Sequence, residues 1–221
     1  MSASPANPNL AQLVAAAAQL KPLLDQIVFV GGCATGLLLT DPAAAPVRAT
    51  IDVDAIIEVA SYTEFVSIEQ KLRELGFRQP VADVPICRWV SGSVILDLMP
   101  TDPSILGFGN RWYRAAFENS QKIQVADHAI RLIAAPYFLA TKLEAFHGRG
   151  KTDYRMSRDL EDVVTVIDGR PELVEEVRHS EPGLQHYLSH ELGALMSSSD
   201  FRDALPDTCF PTQQVNYGLG S

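Results

Sequence analysis

Two spacings of hydrophobic residues alternate along the first part of the chain, one typical of helices and the other of strands. The helical spacing predicts helices over residues 9–24, 32–39 and 62–76, and Ser61 with Glu64 forms a capping box before the last one. Short apolar, β-branched runs predict buried strands, and these runs are residues 27–31, 50–59, 86–90, 93–99, 122–125 and 129–132. We therefore expect a small mixed sheet with flanking helices.

Beyond residue 133 the hydrophobic spacing becomes helical throughout. Pro136 is suited to the first turn of a helix. The predicted helices are residues 136–147, 158–168, 171–179 and 183–197, followed by a loose tail over 210–221. The predicted fold class is thus α+β, with a core over residues 1–133 and a C-terminal helical domain over 134–221 packed against it.

Two aspartates interrupt one of the most apolar strand predictions. Asp52 and Asp54 lie in residues 50–57, TIDVDAII in one-letter code. Side chains alternate faces on a strand, so both carboxylates point the same way, with their Cα atoms roughly 6.5–7 Å apart. Two like charges on a buried strand are costly, and a divalent cation such as Mg²⁺ would remove that cost. The alternative is a strand end with two solvated acids.

A glycine pair precedes this strand by about twenty residues. Gly31 and Gly32 follow the apolar run 27–30 and precede a short apolar helix. A strand, a glycine turn and a helix start form a phosphate-binding arrangement, because glycine lets the backbone approach an anion and the helix start offers unpaired N–H groups.

A third acid is present in the run of residues 94–99. Asp97 is the one charged residue among these aliphatic positions and needs a partner or a metal. Two interpretations stay open: Asp97 completes a metal site with the other two acids, or it pairs with Arg88 across the hairpin that turns at residues 91–92.

A second polar constellation lies in the helical half. Lys142 stands beside the apolar stripe of its helix, and a basic connector follows it. Asp159 and Asp162 are three residues apart, so they share one face of the next helix. Asp159 could instead serve only as a favourable acid at the helix start, and Asp162 could pair with Arg158.

These motifs, in this order, resemble the polymerase-β-type nucleotidyltransferases, and more narrowly the AbiEii/MenT-like branch. The matching segments are FVGGCATGL over residues 29–37, RATIDVD over 48–54, Lys142, and Arg158-Asp159 with Asp162. The resemblance covers residues 29 to about 167. Many members of the superfamily have Gly-Ser in the turn, whereas this chain has Gly-Gly, which removes a serine hydroxyl as a phosphate ligand.

The resemblance implies a polymerase-β-type nucleotidyltransferase core followed by a helical bundle, and transfer of NMP from an NTP to an acceptor hydroxyl. It implies Mg²⁺ or Mn²⁺ as cofactor, bound by Asp52, Asp54 and Asp97. The residues it implies for nucleotide binding are Gly31, Gly32, Thr35, Arg48 and Arg158, and for catalysis Asp52, Asp54, Asp97, Lys142 and Asp159. It further implies the 3′ end of tRNA as acceptor, and a toxin paired with an antitoxin.

The amino-acid composition restricts the class of protein. The chain has 221 residues, 47% hydrophobic and 20% charged, which is typical of a folded globular protein. The three cysteines form no metal-binding pattern, and no apolar stretch has the ~20 residues of a membrane span. We expect a cytoplasmic chain without a membrane partner.

Charge is unevenly distributed along the chain. The formal net charge is −9, yet residues 111–158 hold nine basic and four acidic side chains, a balance of +5. This block is expected to face triphosphate or an RNA backbone. Trp112 and Tyr113 within it could stack on a base or belong to the core.

Two other function classes remain open at this stage. One is a small-molecule nucleotidyltransferase of the antibiotic-modifying kind, which would have the same core. The other is a non-catalytic protein that retains the fold, and the intact acids argue against it.

Overall fold

One six-stranded mixed sheet forms the centre of the protein, as predicted. The computed structural model describes residues 7–81, 85–149 and 153–209, with side chains to residue 205. The strands are β1 (Ile27–Val30), β2 (Val53–Ile57), β3 (Arg88–Ser91), β4 (Val94–Pro100), β5 (Gln121–Val125) and β6 (His128–Leu132). They lie in the order β3-β4-β2-β1-β6-β5. The β2–β4 and β1–β6 pairs are parallel, and the other three pairs are antiparallel.

The strand register aligns the acidic positions across the sheet. Asp54 on β2 pairs with Val30 on β1 and with Asp97 on β4, and Asp97 pairs with Arg88 on β3. Directly paired residues on neighbouring strands project to the same face. Asp54, Asp97 and Arg88 therefore stand in one row on one face of the sheet.

The strand predicted over 50–59 is shorter than expected, and Asp52 immediately precedes it. The polar groups of this entry segment bind side chains of the N-terminal region instead of a neighbouring strand. The Thr50 amide donates to Asn9 Oδ1 at 2.9 Å, and the Ile51 carbonyl accepts a hydrogen bond from Gln12. The segment before β2 is thus held by Gln12 of the first helix and by Asn9, the residue that precedes this helix.

Helices cover the sheet and form most of the C-terminal half. They are α1 (Leu10–Gln19), α2 (Gly31–Leu38), α3 (Tyr62–Glu74), α4 (Tyr113–Glu118), α5 (Ala135–Gly148), α6 (Arg158–Gly169), α7 (Leu173–Arg178), α8 (Pro182–Ser197) and α9 (Ser199–Cys209). Helix α1 ends before its predicted end at residue 24, and a 3₁₀ turn over Lys21–Leu23 follows, since Pro22 has no N–H to donate. The sequence did not predict α4 and α9, and the tail over 210–221 lies outside the described residues.

One hydrophobic cluster connects the sheet with the C-terminal helices. It contains Val28 and Leu132 from the sheet, Phe138 from α5, Leu160 from α6 and Leu184 from α8, each at most 2% exposed. Helix α5 is buried along most of its length, so a polar side chain on it lies deep in the protein. None of the helices in the described ranges has both the length and the apolarity to cross a membrane.

Candidate active site

A cleft of about 270 Å³ opens beside the carboxyl end of β1. Its walls come from the β1–α2 turn, β2, β4, the start of α4, α5 and the start of α6. Five of the residues predicted for the site line it, namely Gly31, Asp54, Asp97, Lys142 and Asp159. Folding thus brings together residues that are up to 128 positions apart in the sequence.

The glycine turn lies directly against Asp54. Gly31 has a φ of +67°, and a Cβ at this position would stand 1.9 Å from Asp54 Oδ2. Helix α2 starts at Gly31, and no described side chain caps it. The first N–H groups of α2 are therefore available beside the cleft, as expected for an anion-binding helix start.

Asp54 is the carboxylate without a partner. Among the residues that the structure describes, none forms a hydrogen bond or ion pair with its oxygens. The pKa of Asp54 is raised to about 7, chiefly by burial. Lys142 counteracts this increase, and the nearby charges of Asp52 and Asp97 add to it. Asp54 is thus a half-buried acid with like-charged neighbours and free oxygens, which suits a cation ligand.

Asp52 and Asp97 share one counter-ion, Arg88. The Arg88 guanidinium donates to both oxygens of Asp97 at 2.8 and 2.7 Å, and to Asp52 Oδ2 at 2.9 Å. Thr50 donates to the other Asp52 oxygen at 2.6 Å. The pKa of Arg88 is raised, chiefly by the hydrogen bonds to Asp97. The Arg88–Asp97 pair, one of the two interpretations left open by the sequence, therefore forms, and it extends to Asp52.

Lys142 is buried in an ion-pair network on the opposite wall of the cleft. Its Nζ lies 2.6 Å from Asp162 Oδ2 and 3.4 Å from Asp159 Oδ1, and Arg149 pairs with the other Asp159 oxygen. Burial alone would lower the pKa of Lys142, but Asp162 and Asp159 raise it. Lys142 therefore stays charged, and Asp159 positions two cations at the cleft.

Arg48 supports the glycine turn from behind and does not line the cleft. It donates to the two oxygens of Asp162 at 3.1 and 2.9 Å. A Cβ on Gly32 would lie 2.8 Å from its guanidinium. Asp162 thus pairs with Arg48 and Lys142, rather than with Arg158, the alternative that the sequence left open.

Thr35 and Arg158 also lie away from the cleft lining. Thr35 is buried within α2, and its hydroxyl has no hydrogen-bond partner among the described residues. Arg158 is exposed at the start of α6, directly before Asp159. Their assignment to nucleotide binding stays a prediction.

Five of the nine basic side chains in the block 111–158 pair with acidic side chains among the described residues. Arg111 pairs with Glu144 at 2.9 Å, and Arg114 with Glu58 at 3.0 Å. Lys122 pairs with Asp25 at 3.6 Å. Within the described parts of residues 111–158, Lys142 and Arg149 are the basic residues that line the cleft. The block as a whole is therefore not a uniform basic surface.

Tertiary folding adds cleft residues that the sequence did not assign. Arg149 was noted only as part of a basic connector, and Cys87 and Met99 gave no signal. Tyr113 lines the cleft and donates to Met99 Sδ at 3.2 Å. Burial, with a contribution from Asp54, raises the pKa of Tyr113, so this phenol stays neutral. Trp112 instead packs against Tyr187, with ring centroids 5.0 Å apart.

The three predicted metal ligands fit a divalent cation by their chemistry, although they do not enclose a common point. No three acidic, histidine or cysteine side chains within the described ranges are arranged as a metal cluster. Asp52 and Asp97 instead bind Arg88, while Asp54 keeps free oxygens. Carboxylate oxygens are the ligands that Mg²⁺ and Mn²⁺ prefer. Such an ion would share ligands with Arg88.

Comparison with known proteins identifies the fold. No family model matches the chain, and no curated protein is significantly similar to it. Its fold is similar to that of an antigenic nucleotidyltransferase-like protein from Paracoccidioides brasiliensis, known from a crystal structure. The similarity covers 94% of this chain and 99% of that chain, with a TM-score of 0.54 and 18% sequence identity. The chain therefore has a nucleotidyltransferase-like fold, as its sequence predicted.

Proposed function

We propose that this protein is a metal-dependent nucleotidyltransferase that transfers NMP from an NTP to an acceptor hydroxyl. The observation that carries the proposal is the convergence of four charged residues and one glycine on one cleft. Gly31, Asp54, Asp97, Lys142 and Asp159 come from five separate elements and line the same cavity. Their residue types match the needs of phosphoryl chemistry, which depends on positioning and on charge neutralisation.

The triphosphate would bind between the glycine turn and the basic wall. Backbone N–H groups at the start of α2 would donate to phosphate oxygens. Lys142 and Arg149 would contribute positive charge, held in place by Asp159. When bound to Asp52, Asp54 and Asp97, Mg²⁺ or Mn²⁺ would neutralise charge on the α-phosphate and on the leaving pyrophosphate. Arg48 would contribute indirectly, by holding the turn.

The transfer step follows from this arrangement. The acceptor hydroxyl oxygen attacks the α-phosphorus in line, the bond between that phosphorus and the β-phosphate oxygen breaks, and pyrophosphate leaves. The proton of the hydroxyl passes to a cleft carboxylate, for which Asp97 and Asp159 are the candidates. Both are held by cations, Asp97 by Arg88 and Asp159 by Lys142 and Arg149.

For the acceptor, we propose the 3′ end of a tRNA, with the protein acting as the toxin of a toxin–antitoxin pair. The support is the order of motifs shared with the AbiEii/MenT-like branch. Arg149, with 73% of its side chain exposed, and the neighbouring exposed Arg158 lie where a nucleic-acid backbone could reach the cleft.

Labelled nucleotides test both parts of this proposal. The purified protein is incubated with each α-labelled NTP, Mg²⁺ or Mn²⁺, and either total tRNA or an aminoglycoside. The variants are Asp54→Asn and, as a matched control, Asp25→Asn, whose side chain is 92% exposed. We expect label in tRNA with the wild type and with the control, and a loss of about 100-fold or more with Asp54→Asn.

The outcomes separate the alternatives. Label in the aminoglycoside but not in tRNA would contradict the toxin role and support a small-molecule transferase. Absence of label in every acceptor with every NTP would contradict the transferase proposal and favour a protein that retains only the fold.

A further inference from the structure

Arg88 occupies an unusual position for a basic residue, between two acids that were expected to bind a metal. It lies on β3, in register with Asp97, and its guanidinium contacts both Asp97 and Asp52 within 2.9 Å. Its side chain is 20% exposed, and those of Asp97 and Asp52 are 10% and 26% exposed. These contacts are short, charge-assisted and largely shielded from water.

The charge balance explains why a cation belongs here. Three carboxylates, those of Asp52, Asp54 and Asp97, lie near the carboxyl end of β1, on or beside the neighbouring strands β2 and β4. Without a metal, Arg88 is the one described cation that contacts Asp52 or Asp97. It supplies one positive charge for two of these acids, which removes much of the cost of burying them.

The same contacts use the oxygens that a metal ion needs. Both Asp97 oxygens and one Asp52 oxygen accept from Arg88, and the second Asp52 oxygen accepts from Thr50. Asp54, by contrast, has free oxygens. A divalent cation can therefore reach Asp54 directly, whereas at Asp52 and Asp97 it competes with the positive charge of Arg88 for the same oxygens.

We infer that Arg88 is a resident counter-ion that competes with the divalent cation for Asp52 and Asp97, and so makes metal binding weak until a nucleotide arrives. This inference rests on the proposed function, because the arriving triphosphate provides the anion that the released guanidinium would bind. Arginine suits this exchange, since its planar guanidinium binds carboxylates and phosphates in the same bidentate manner. Arg88 is thus a positioning residue that couples loading of the metal to loading of the NTP.

Metal binding to the nucleotide-free protein tests this inference without any measurement of activity. Mn²⁺ affinity is measured by calorimetry and by electron paramagnetic resonance for the wild type, Arg88→Gln and Arg88→Lys. Arg78→Gln is the matched control, because Arg78 is exposed and forms a bridge to the same strand through its backbone. We expect Mn²⁺ to bind Arg88→Gln about tenfold or more tightly than the wild type, because a competing charge-assisted pair is lost.

Arg88→Lys keeps the charge but loses the bidentate contact, so its Mn²⁺ affinity should lie between that of the wild type and that of Arg88→Gln. The control should bind Mn²⁺ like the wild type. Thermal unfolding gives a second readout: without metal, Arg88→Gln should melt below the wild type, and millimolar Mn²⁺ should raise its Tm more than it raises that of the wild type. If Arg88→Gln does not fold, the inference is tested by Arg88→Lys alone, which should bind Mn²⁺ more tightly than the wild type.

Equal or weaker Mn²⁺ binding by the Arg88 variants, including no binding by any protein, would overturn the inference. Its failure is distinct from failure of the proposed function. Tighter Mn²⁺ binding by the Arg88 variants, together with no NMP transfer by the wild type, would leave Arg88 as a competing counter-ion and contradict the transferase.

Discussion

The contact between the glycine turn and Asp54 gives the most specific prediction, the effect of Gly31→Ala. The new methyl group would occupy a position 1.9 Å from Asp54 Oδ2 and 2.7 Å from Asp54 Cβ. Real side chains do not approach so closely, so either the turn or Asp54 must move. The substitution therefore alters the position of the acid on which the proposed chemistry depends.

The magnitude has two parts. Alanine at a φ of +67° costs about 1–2 kcal/mol, because its Cβ crowds the carbonyl oxygen in the left-handed region. Forcing a methyl group into a packed site costs about 1–3 kcal/mol more. We expect the free energy of unfolding to fall by about 2–5 kcal/mol, and Tm by about 5–15 °C for a chain of this size. If Asp54 rotates away instead, stability falls less, but the carboxylate is still displaced.

Gly92→Ala is a matched control for the backbone term. Gly92 has a φ of +58°, and a Cβ there meets no atom within 4 Å. In Gly92→Ala the free energy of unfolding should fall only by the backbone cost of alanine in the left-handed region, about 1–2 kcal/mol. This variant should keep full activity. Urea unfolding of both variants, together with NMP transfer and Mn²⁺ binding, makes the comparison.

Equal stability and equal activity for Gly31→Ala and Gly92→Ala would refute the reasoning, because Asp54 would then not be held against the turn. A loss of stability without a loss of transfer would also contradict it, since the turn would be structural only.

Three further predictions concern the buried charges. Lys142→Ala should destabilise the protein by about 1.5–3 kcal/mol and weaken NTP binding, because Asp162 and Asp159 each lose one of their two cations and keep only Arg48 and Arg149. Lys122→Ala, at a side chain that is 75% exposed, should change stability by less than about 1 kcal/mol; equal losses in urea unfolding and calorimetry would contradict the role of Lys142. Asp159→Asn should lower NMP transfer about tenfold or more while NTP affinity changes by less than about threefold, because Asn keeps an oxygen that can accept from Lys142 but cannot take up the proton of the acceptor hydroxyl; an equal loss in both assays would contradict the role of Asp159 as proton acceptor. Burial tends to raise the pKa of Glu191, but hydrogen bonds from histidines, chiefly His147, lower it below its ordinary value of 4.5. The charge of Glu191 therefore stabilises the fold above pH 4.5, and this stabilisation is lost as the pH falls from 4.5 through the lowered pKa. In urea unfolding from about pH 6 to about pH 3, Glu191→Gln should therefore lose less stability than the wild type.

Local sequence patterns determined most of the secondary structure. Alternating β-branched runs predicted the strands, and the Ser61 capping box predicted the start of α3, where the Glu64 amide donates to Ser61 Oγ at 3.2 Å. The glycine pair after an apolar run predicted a strand, a turn and a helix. These features depend on neighbouring residues, so they can be inferred without knowing the fold. Helix α4 was missed because its six residues are too few to show a period.

The candidate site also has features that the sequence predicted and features that only the structure showed. The sequence identified Asp54, Lys142 and Asp159 as chemically unusual, since charged residues beside apolar stripes need partners. It did not determine which partners they have. Asp97 had two open interpretations, and tertiary structure joined it to Arg88 while also placing it beside Asp54.

Only the tertiary structure decided these partnerships, because they depend on contacts between distant segments. The parallel pairing of β2 with β4 aligns Asp54 with Asp97, although 43 positions separate them. The connection between α2 and β2 brings Arg48 to Asp162 on α6 across 114 positions. Charge alone predicted a basic block over 111–158 that faces triphosphate or RNA, and folding gave five of its nine basic side chains acidic partners within the described residues. Hydrophobic spacing determines local structure, whereas the arrangement of charges depends on which elements the core packs together.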